Sequence, residues 1–281
     1  MVISIVVPTL NEAENVESLV RRIMAGALRP EEILFVDDGS SDGTGDRVQA
    51  LAGSAPVRLL TRDAPTLGLS GAVLAGARAA RGEVLIVMDA DLSHPPERIA
   101  DLAGPIVEGR ADMVIGSRYV VGGSTPGWPL WRRVMSRVAA GAAFPLTGTH
   151  DSMSGFFCMR RDLLLELTPN ATGFKIAFET IVHGRGLRVM EIPIVFHDRA
   201  HGISKMTFEV ALLFSGRWLA AVARKLFRRR VGQRSGGRAS HPPEFRDEAD
   251  EKRERGEEGI AVSLRADAER NRQREERDGE P

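Results

Sequence analysis

The sequence predicts an α/β fold: a mostly parallel central sheet with helices on both faces. Three observations carry this reading. Short apolar runs alternate with amphipathic stretches of about 10 to 15 residues through the first half of the chain. Hydrophobic residues make up 43% of the 281 residues, enough for a sizeable core. Polar, acid-rich segments stand directly after three of the apolar runs, where open α/β sheets bind their ligands.

The elements follow in order. Ile3 to Val7 is a buried strand, β-branched throughout except for Ser4. Glu12 to Met24 carries Val16, Leu19, Val20, Ile23 and Met24 on one helical face. Ile33 to Val36 is the second strand, and Gly43 to Leu51 the second helix, with Ser41 or Asp42 as its cap. Val57 to Leu60 is a strand, alanine-rich Leu69 to Ala80 a helix, and Val84 to Met88 a strand. Pro95 to Val107 reads as a helix with proline in its first turn, and Met113 to Ile115 as a fifth strand. Beyond a Gly/Pro-rich loop from Tyr119 to Pro129 come a helix (Leu130 to Ala143), a strand (Gly155 to Met159), a helix (Phe174 to Gly184) and a strand (Arg188 to Val195).

Charge and composition exclude several classes. Lys and Arg number 38 and so do Asp and Glu, so the formal charge is zero, which argues against a nucleic-acid-coating protein. The single cysteine, Cys158, excludes a disulfide framework and a multi-thiolate zinc site. The balance is uneven along the chain: residues 232–281 hold 11 basic and 14 acidic side chains and few apolar ones, which predicts a disordered tail after a catalytic domain of residues 1–231. No secretory signal or transmembrane stretch is read; Phe208 to Phe227 is broken by Glu209, Arg217, Arg224 and Lys225. A helix over about 206–230, bearing Trp218 and ending in Arg228, Arg229 and Arg230, reads instead as an amphipathic element for a membrane surface, the alternatives being a helix packed on the domain or docked on a membrane-protein partner. The expected location is peripheral, on the cytoplasmic face of a membrane.

The chemistry-bearing residues stand at strand ends. Asp89 and Asp91, one residue apart after Val84 to Met88, can both reach one hard cation such as Mg²⁺ or Mn²⁺, which would neutralise a diphosphate leaving group. The plainer alternative makes one aspartate a helix cap and leaves the other solvated. Asp37 and Asp38 open a turn, Asp37 to Thr44, whose glycines ease the backbone; two adjacent acids there would repel each other unless one meets a base or ribose.

Taken together, Val7-Pro8-Thr9-Leu10-Asn11-Glu12, Val36 to Thr44 and Met88 to Pro96 resemble the GT-A inverting glycosyltransferases of family 2. Gly116 to Tyr119, Gly127-Trp128 with Arg132, Arg133 and Ser136, Asp151 to Phe157, Gly173-Phe174-Lys175, and Glu191 to Ile194 running on to Arg199 and Lys205 narrow the resemblance to the dolichol- and polyprenol-phosphate mannosyltransferases. It covers about residues 1 to 215. The resemblance implies that Pro8, Leu10, Glu12, Val36 and Asp38 line the guanosine end of GDP-mannose. It implies that Asp89 and Asp91 hold the metal, with Ala90 lending backbone and Ser93 where some relatives have a glutamine ligand. Arg118, Arg199 and Lys205 would meet phosphates, and Arg118, Arg132 and Ser136 would seat the phosphate of a polyprenyl or dolichyl acceptor. The implied reaction is direct displacement giving a β-linked mannosyl phospholipid. Leu10, Ala177 and His201-Gly202-Ile203 depart from the family pattern and bear on sugar choice. Transfer from a UDP-hexose such as UDP-glucose, or a non-catalytic sugar-nucleotide-binding scaffold, are the competing readings. Cys158 reads as a core residue and His94 as part of a turn.

Overall fold

The computed structural model describes residues 1–63, 65–168, 175–184 and 186–198. Gly173, Phe174, Arg199, Lys205, the amphipathic helix at about 206–230 and the charged tail lie outside the described residues.

A seven-stranded sheet runs β1 (Ile3–Thr9), α1 (Ala13–Ala25), β2 (Glu32–Asp37), α2 (Thr44–Leu51), β3 (Val57–Thr61), α3 (Gly68–Ala79), β4 (Val84–Val87), a 3-10 turn (Pro96–Arg98), α4 (Ile99–Val107), β5 (Met113–Ser117), α5 (Leu130–Thr147), β6 (Phe157–Arg160), α6 (Arg161–Leu167), α7 (Ile176–His183) and β7 (Val189–Pro193). The spatial order is β3-β2-β1-β4-β6-β5-β7. Every neighbouring pair is parallel except those made by β6, which runs antiparallel to β4 and β5. The carboxyl ends of β1, β2, β4, β5 and β7 therefore share one edge of the sheet. The strand order reverses direction between β1 and β4, the crevice where open sheets of this kind bind ligands.

The apolar runs of the sequence form two core layers, one on each face. Val7, Leu19, Phe35, Ile86, Leu102 and Phe156 belong to one layer, Val6, Leu34, Leu74, Leu85, Phe157 and Leu164 to the other. Continuous apolar strands are needed because a parallel sheet is covered on both sides. Helix α3 lies close against β1 and β2 through Gly76: a methyl group there would stand 2.5 Å from Val6 Cγ1 and 2.9 Å from Val36 Cγ2. Cys158 is buried in the core, as its apolar context predicts, and burial pushes its thiol pKa up.

The elements differ from expectation in small ways. The predicted helix from Pro95 begins as a 3-10 turn and becomes α-helical at Ile99. The strand expected over Gly155 to Met159 starts at Phe157, because Asp151 to Gly155 form a turn at the binding edge. Helix α6 was not anticipated; its seven residues fall short of two full turns, too few for a periodic apolar pattern to show.

Candidate active site

The loops after β1 and β2 are bound to each other. Asn11, in the left-handed region at φ 57°, turns the chain so that its N–H donates to Ser40 Oγ (2.8 Å), while Ser41 N–H donates to Asn11 Oδ1 (2.9 Å). Glu12 N–H donates to Thr44 Oγ1 (2.9 Å) and Ala13 N–H to Asp42 Oδ2 (3.0 Å). Asp42 Oδ1 also accepts from Thr44 N–H (3.0 Å), so Asp42 ties the first residues of two helices together; the cap position of α2 itself falls to Gly43, in the left-handed region, one residue past the cap the sequence predicts. Burial would raise the Asp42 pKa, but the Thr44 and Ala13 donors outweigh it and hold it low.

The adjacent acids of the second motif avoid repulsion by taking separate partners. Buried Asp37 accepts from Ser40 N–H and Oγ. Asp38 pairs with Arg62 Nη1 at 2.7 Å, and Arg62 also donates to the Thr66 carbonyl (2.6 Å). Arg62, just beyond β3, carried no sequence signal. Pro8 and Val36 face each other in the β1–β2 register, and both are buried. The Val36 side chain is committed to the core against α3. Leu10, Glu12 and Asp38 are partly exposed at the same edge.

Beyond β4 the two carboxylates differ. Asp91 is buried, and its Oδ1 accepts from Ser93 N–H (3.0 Å) and from Ser93 Oγ (2.5 Å). Leu92 takes φ 63°, a costly conformation for leucine, and this left-handed step bends the chain between them. Ser93 is fully buried and acts on Asp91 as a donor. The Asp89 side chain is 31% exposed. Its main-chain N–H donates to His94 Nδ1 (3.1 Å). His94 is buried, its ring stacked on Phe156 (5.2 Å between centroids) and edge-on to Phe196 (5.4 Å). Burial lowers the His94 pKa against the pull of Asp89 and Asp91, so the ring is a neutral acceptor that fixes the backbone of Asp89. The turn role expected of His94 is thus a buried support for the carboxylate motif.

Arg118, one residue past β5, is gripped by Asp151. Nε and Nη2 each lie 2.7 Å from a carboxylate oxygen, and the Arg118 N–H adds a third bond of 2.9 Å. Burial disfavours the guanidinium charge, but the Asp151 bonds prevail and raise the Arg118 pKa. Asp151 has no exposed surface; its own N–H donates to Glu191 Oε1 (2.9 Å), and His150 N–H to Glu191 Oε2 (2.8 Å). Glu191 on β7 thereby holds the turn that holds Arg118. The Arg118 guanidinium stands 5.1 to 5.6 Å from the rings of Tyr119, Trp128 and Phe196. Arg132 lies 3.9 Å over the same Trp128 ring and pairs with Asp198 at 2.8 Å. Ser136, one turn on along α5, bonds the Tyr119 hydroxyl. Arg118, Arg132 and Ser136 are therefore joined through Trp128 and Tyr119.

Of the residues singled out from the sequence and described here, the structure brings Pro8, Leu10, Glu12, Val36, Asp38, Asp89, Ala90, Asp91, Ser93 and Arg118 to one edge of the sheet. Arg132 and Ser136 join it through the aromatic residues. Arg62 has no signal in the sequence, His94 reads there only as part of a turn, and Asp151 and Glu191 only as members of motifs; the bonds by which each supports a neighbour come from the tertiary arrangement. Among the described residues no three His, Cys, Asp or Glu side chains form a metal cage. Two carboxylates beside an open edge suit a hard ion that takes its remaining ligands from water and a diphosphate. No described helix is long and apolar enough to cross a membrane.

Residues 4–168 match the family model for glycosyl transferase family 2. The chain is 42% identical over 212 residues to a dolichol-phosphate mannosyltransferase of Pyrococcus furiosus, a match covering 73% of this chain and 59% of that enzyme. This chain thus matches less than two thirds of the length of the archaeal relative. It is 39% identical over 226 residues to the dolichol-phosphate mannosyltransferase of Saccharomyces cerevisiae, covering 75% of this chain and 83% of the other. It is also 39% identical over 214 residues to the polyprenol monophosphomannose synthase of Mycolicibacterium smegmatis, covering 72% and 80%. Among solved structures, glucosyl-3-phosphoglycerate synthase from Mycobacterium tuberculosis, in complex with Mg²⁺ and uridine diphosphate, superposes with a TM-score of 0.59 at 23% identity, covering 79% of this chain and 78% of the other. That likeness is one of fold.

Proposed function

The chain belongs to glycosyl transferase family 2, with the GT-A fold, and from that premise we propose that it transfers mannose from GDP-mannose to a polyprenyl or dolichyl phosphate. The observation that carries this reading is the meeting, at one sheet edge, of the Asp89–Asp91 carboxylates with the tethered Arg118. The names of the relatives supply the sugar and the class of acceptor.

Leu10, Glu12 and Asp38 form the nucleoside side of this site. Asp89 and Asp91 would hold Mg²⁺ or Mn²⁺, which supplies positive charge against the diphosphate of the donor. Ser93 keeps Asp91 in its rotamer before the substrate arrives, and His94 fixes the backbone from which Asp89 projects. Arg118, held side-on through Nε and Nη2 by Asp151, directs its remaining N–H donors at phosphate oxygens, a geometry the guanidinium fork suits. Arg132 and Ser136 complete the acceptor side; Arg199 and Lys205 are assigned to phosphates by resemblance alone.

An oxygen of the acceptor phosphate forms the bond to the anomeric carbon as that carbon's bond to the donor's β-phosphate oxygen breaks. The electron pair leaves with GDP. The acceptor is already ionised near neutral pH, so no strong general base is required. The protein contributes orientation and stabilisation of the departing charge.

The acceptor chemistry also fits the outer face of α5. Leu130, Trp131, Val134, Met135 and Val138 are each at least 50% exposed, and exposed Arg133 and Arg137 flank them. Arg132 and Ser136 project from the opposite side of the same helix. We place the protein on a membrane surface through this face, beside its lipid substrate.

Turnover of GDP-mannose and of UDP-glucose, each with polyprenyl phosphate, tests the reading. GDP-mannose is the expected donor; good turnover of UDP-glucose with none of GDP-mannose would overturn the sugar assignment. Asp91→Ala is expected to abolish turnover, and full activity in that variant would overturn the metal assignment.

A further inference from the structure

Lys175 belongs to none of the metal, nucleoside and acceptor groups of the site. It stands directly before α7, and its ammonium donates to the Met153 carbonyl at 3.2 Å. Met153 belongs to the turn that also supplies Asp151 to Arg118 and passes Gly155 against Asp89: a methyl on Gly155 would lie 3.3 Å from Asp89 Oδ1. One short turn thus gathers Lys175, Arg118 and Asp89 around a single place. The charged groups facing Lys175 are Arg118 from the end of β5, Asp151 from the turn and Asp89 from the end of β4. Both oxygens of Asp151 are already bonded to Arg118.

A desolvated ammonium beside a guanidinium is unfavourable in the free protein. An anion offering several oxygens to both cations removes that cost. Resting on the transferase reading above, we propose that Lys175 binds phosphate oxygens of a substrate, forming with Arg118 a cationic wall opposite the Asp89–Asp91 carboxylates. Burial, reinforced by the Arg118 charge, lowers the Lys175 pKa to about 8, so the side chain is charged at neutral pH and loses its proton just above.

The test uses the full chain with Lys175→Met and Lys175→Arg, measuring kcat/KM separately for GDP-mannose and polyprenyl phosphate, the pH profile and the melting temperature. Lys175→Met is expected to lose about 100-fold in kcat/KM while melting within a few degrees of the parent. A raised KM for the acceptor places the lysine on the acceptor phosphate; a raised KM for the donor places it on the diphosphate. The parent is expected to lose turnover above about pH 8 as the ammonium deprotonates, and Lys175→Arg to carry turnover to higher pH. A lysine that only supports Met153 would leave that alkaline limb unmoved. Lys175→Met within threefold of the parent for both substrates, or an unshifted limb in Lys175→Arg, overturns the inference. Should Lys175→Met fail to fold, Lys175→Arg decides through the limb alone. Should the parent turn over neither substrate, it is the transferase reading that falls. Calorimetric binding of GDP and of polyprenyl phosphate then tests the lysine by itself, with at least tenfold weaker binding of one of them expected in Lys175→Met and equal binding of both contradicting it.

Discussion

Arg118 and Asp151 form a two-pronged ion pair, Nε and Nη2 each 2.7 Å from a carboxylate oxygen that has no exposure to solvent. The pair fixes the plane of the guanidinium while leaving it charged, so Asp151 gives Arg118 its direction. Asp151→Asn keeps the shape and removes the anion, leaving a buried cation partly unpaired. Breaking such a pair costs about 3 kcal/mol. The variant is expected to melt several degrees lower and to lose at least tenfold in kcat/KM, measured by thermal unfolding and steady-state turnover. Parent-like values in both would show that the pair has no positioning role.

A second carboxylate is buried far from the catalytic edge. Glu32 accepts from Ser4 Oγ (2.7 Å), from Arg81 N–H (2.6 Å) and from Arg58. Burial pushes its pKa up, yet the Arg81, Ser4 and Arg58 donors outweigh this and hold it below the ordinary 4.5. A folded-state pKa below the unfolded one contributes stability that is present above about pH 4.5 and lost as pH falls through the folded value. Asp112 and Glu97 act in the same sense, lowered chiefly by Arg188 and Arg22. The protein is therefore expected to destabilise steadily below about pH 4.5. Glu32→Gln should destabilise it at pH 7 and flatten the acid limb; urea unfolding of both forms from pH 3 to 7 checks this. Parallel curves for parent and variant would contradict it.

What the sequence revealed and what it hid divide along a physical line. Strands β1 to β5 and helices α1 to α4 were legible because each face is buried continuously or with a clear period, as in Val84 to Met88. Asp89 and Asp91 were legible because they adjoin such a strand. The support His94 gives was not: its partners are the Asp89 N–H and the rings of Phe156, just before β6, and Phe196, in the loop after β7. Asp151 was visible only as part of a motif, since its bond to Arg118 spans 33 residues. Supporting residues of this kind have ordinary local patterns, and only the tertiary arrangement gives them a purpose.

Gly155 separates packing from chemistry. A methyl group there would sit 3.3 Å from Asp89 Oδ1 and from His94 Cε1, and 3.4 Å from Asp89 Oδ2. His94 is boxed between two rings, so Asp89 must give way. Gly155→Ala is expected to fold normally but to raise the Mg²⁺ or Mn²⁺ concentration for half-maximal turnover about tenfold, as changes just outside a metal's ligands commonly do. A metal titration of parent and variant reads the effect. An unchanged requirement would mean that the Asp89 carboxylate does not need its observed position.

The outer face of α5 makes a prediction that does not depend on the sugar. Leu130 and Trp131 are 75% and 69% exposed, and Met135 and Val138 64% and 62%. Helix α5 contains three arginines and no acidic residue, a composition that complements an anionic bilayer surface. The sequence suggested bilayer contact on a later helix; α5 offers a second element, nearer the proposed acceptor site. Burying an apolar side chain of this size contributes about 1.5 to 3 kcal/mol. Trp131→Glu with Met135→Glu, which leaves Arg132 and Ser136 untouched, should weaken binding to vesicles containing anionic lipid by about 100-fold, roughly 2.7 kcal/mol. High salt should weaken the parent further through Arg133 and Arg137. Vesicle sedimentation measures both, with a short-chain soluble polyprenyl phosphate as control substrate. Equal sedimentation of parent and variant would show that the stripe is covered by something other than lipid, while loss of turnover on the soluble substrate would show that the substitutions reach the site itself.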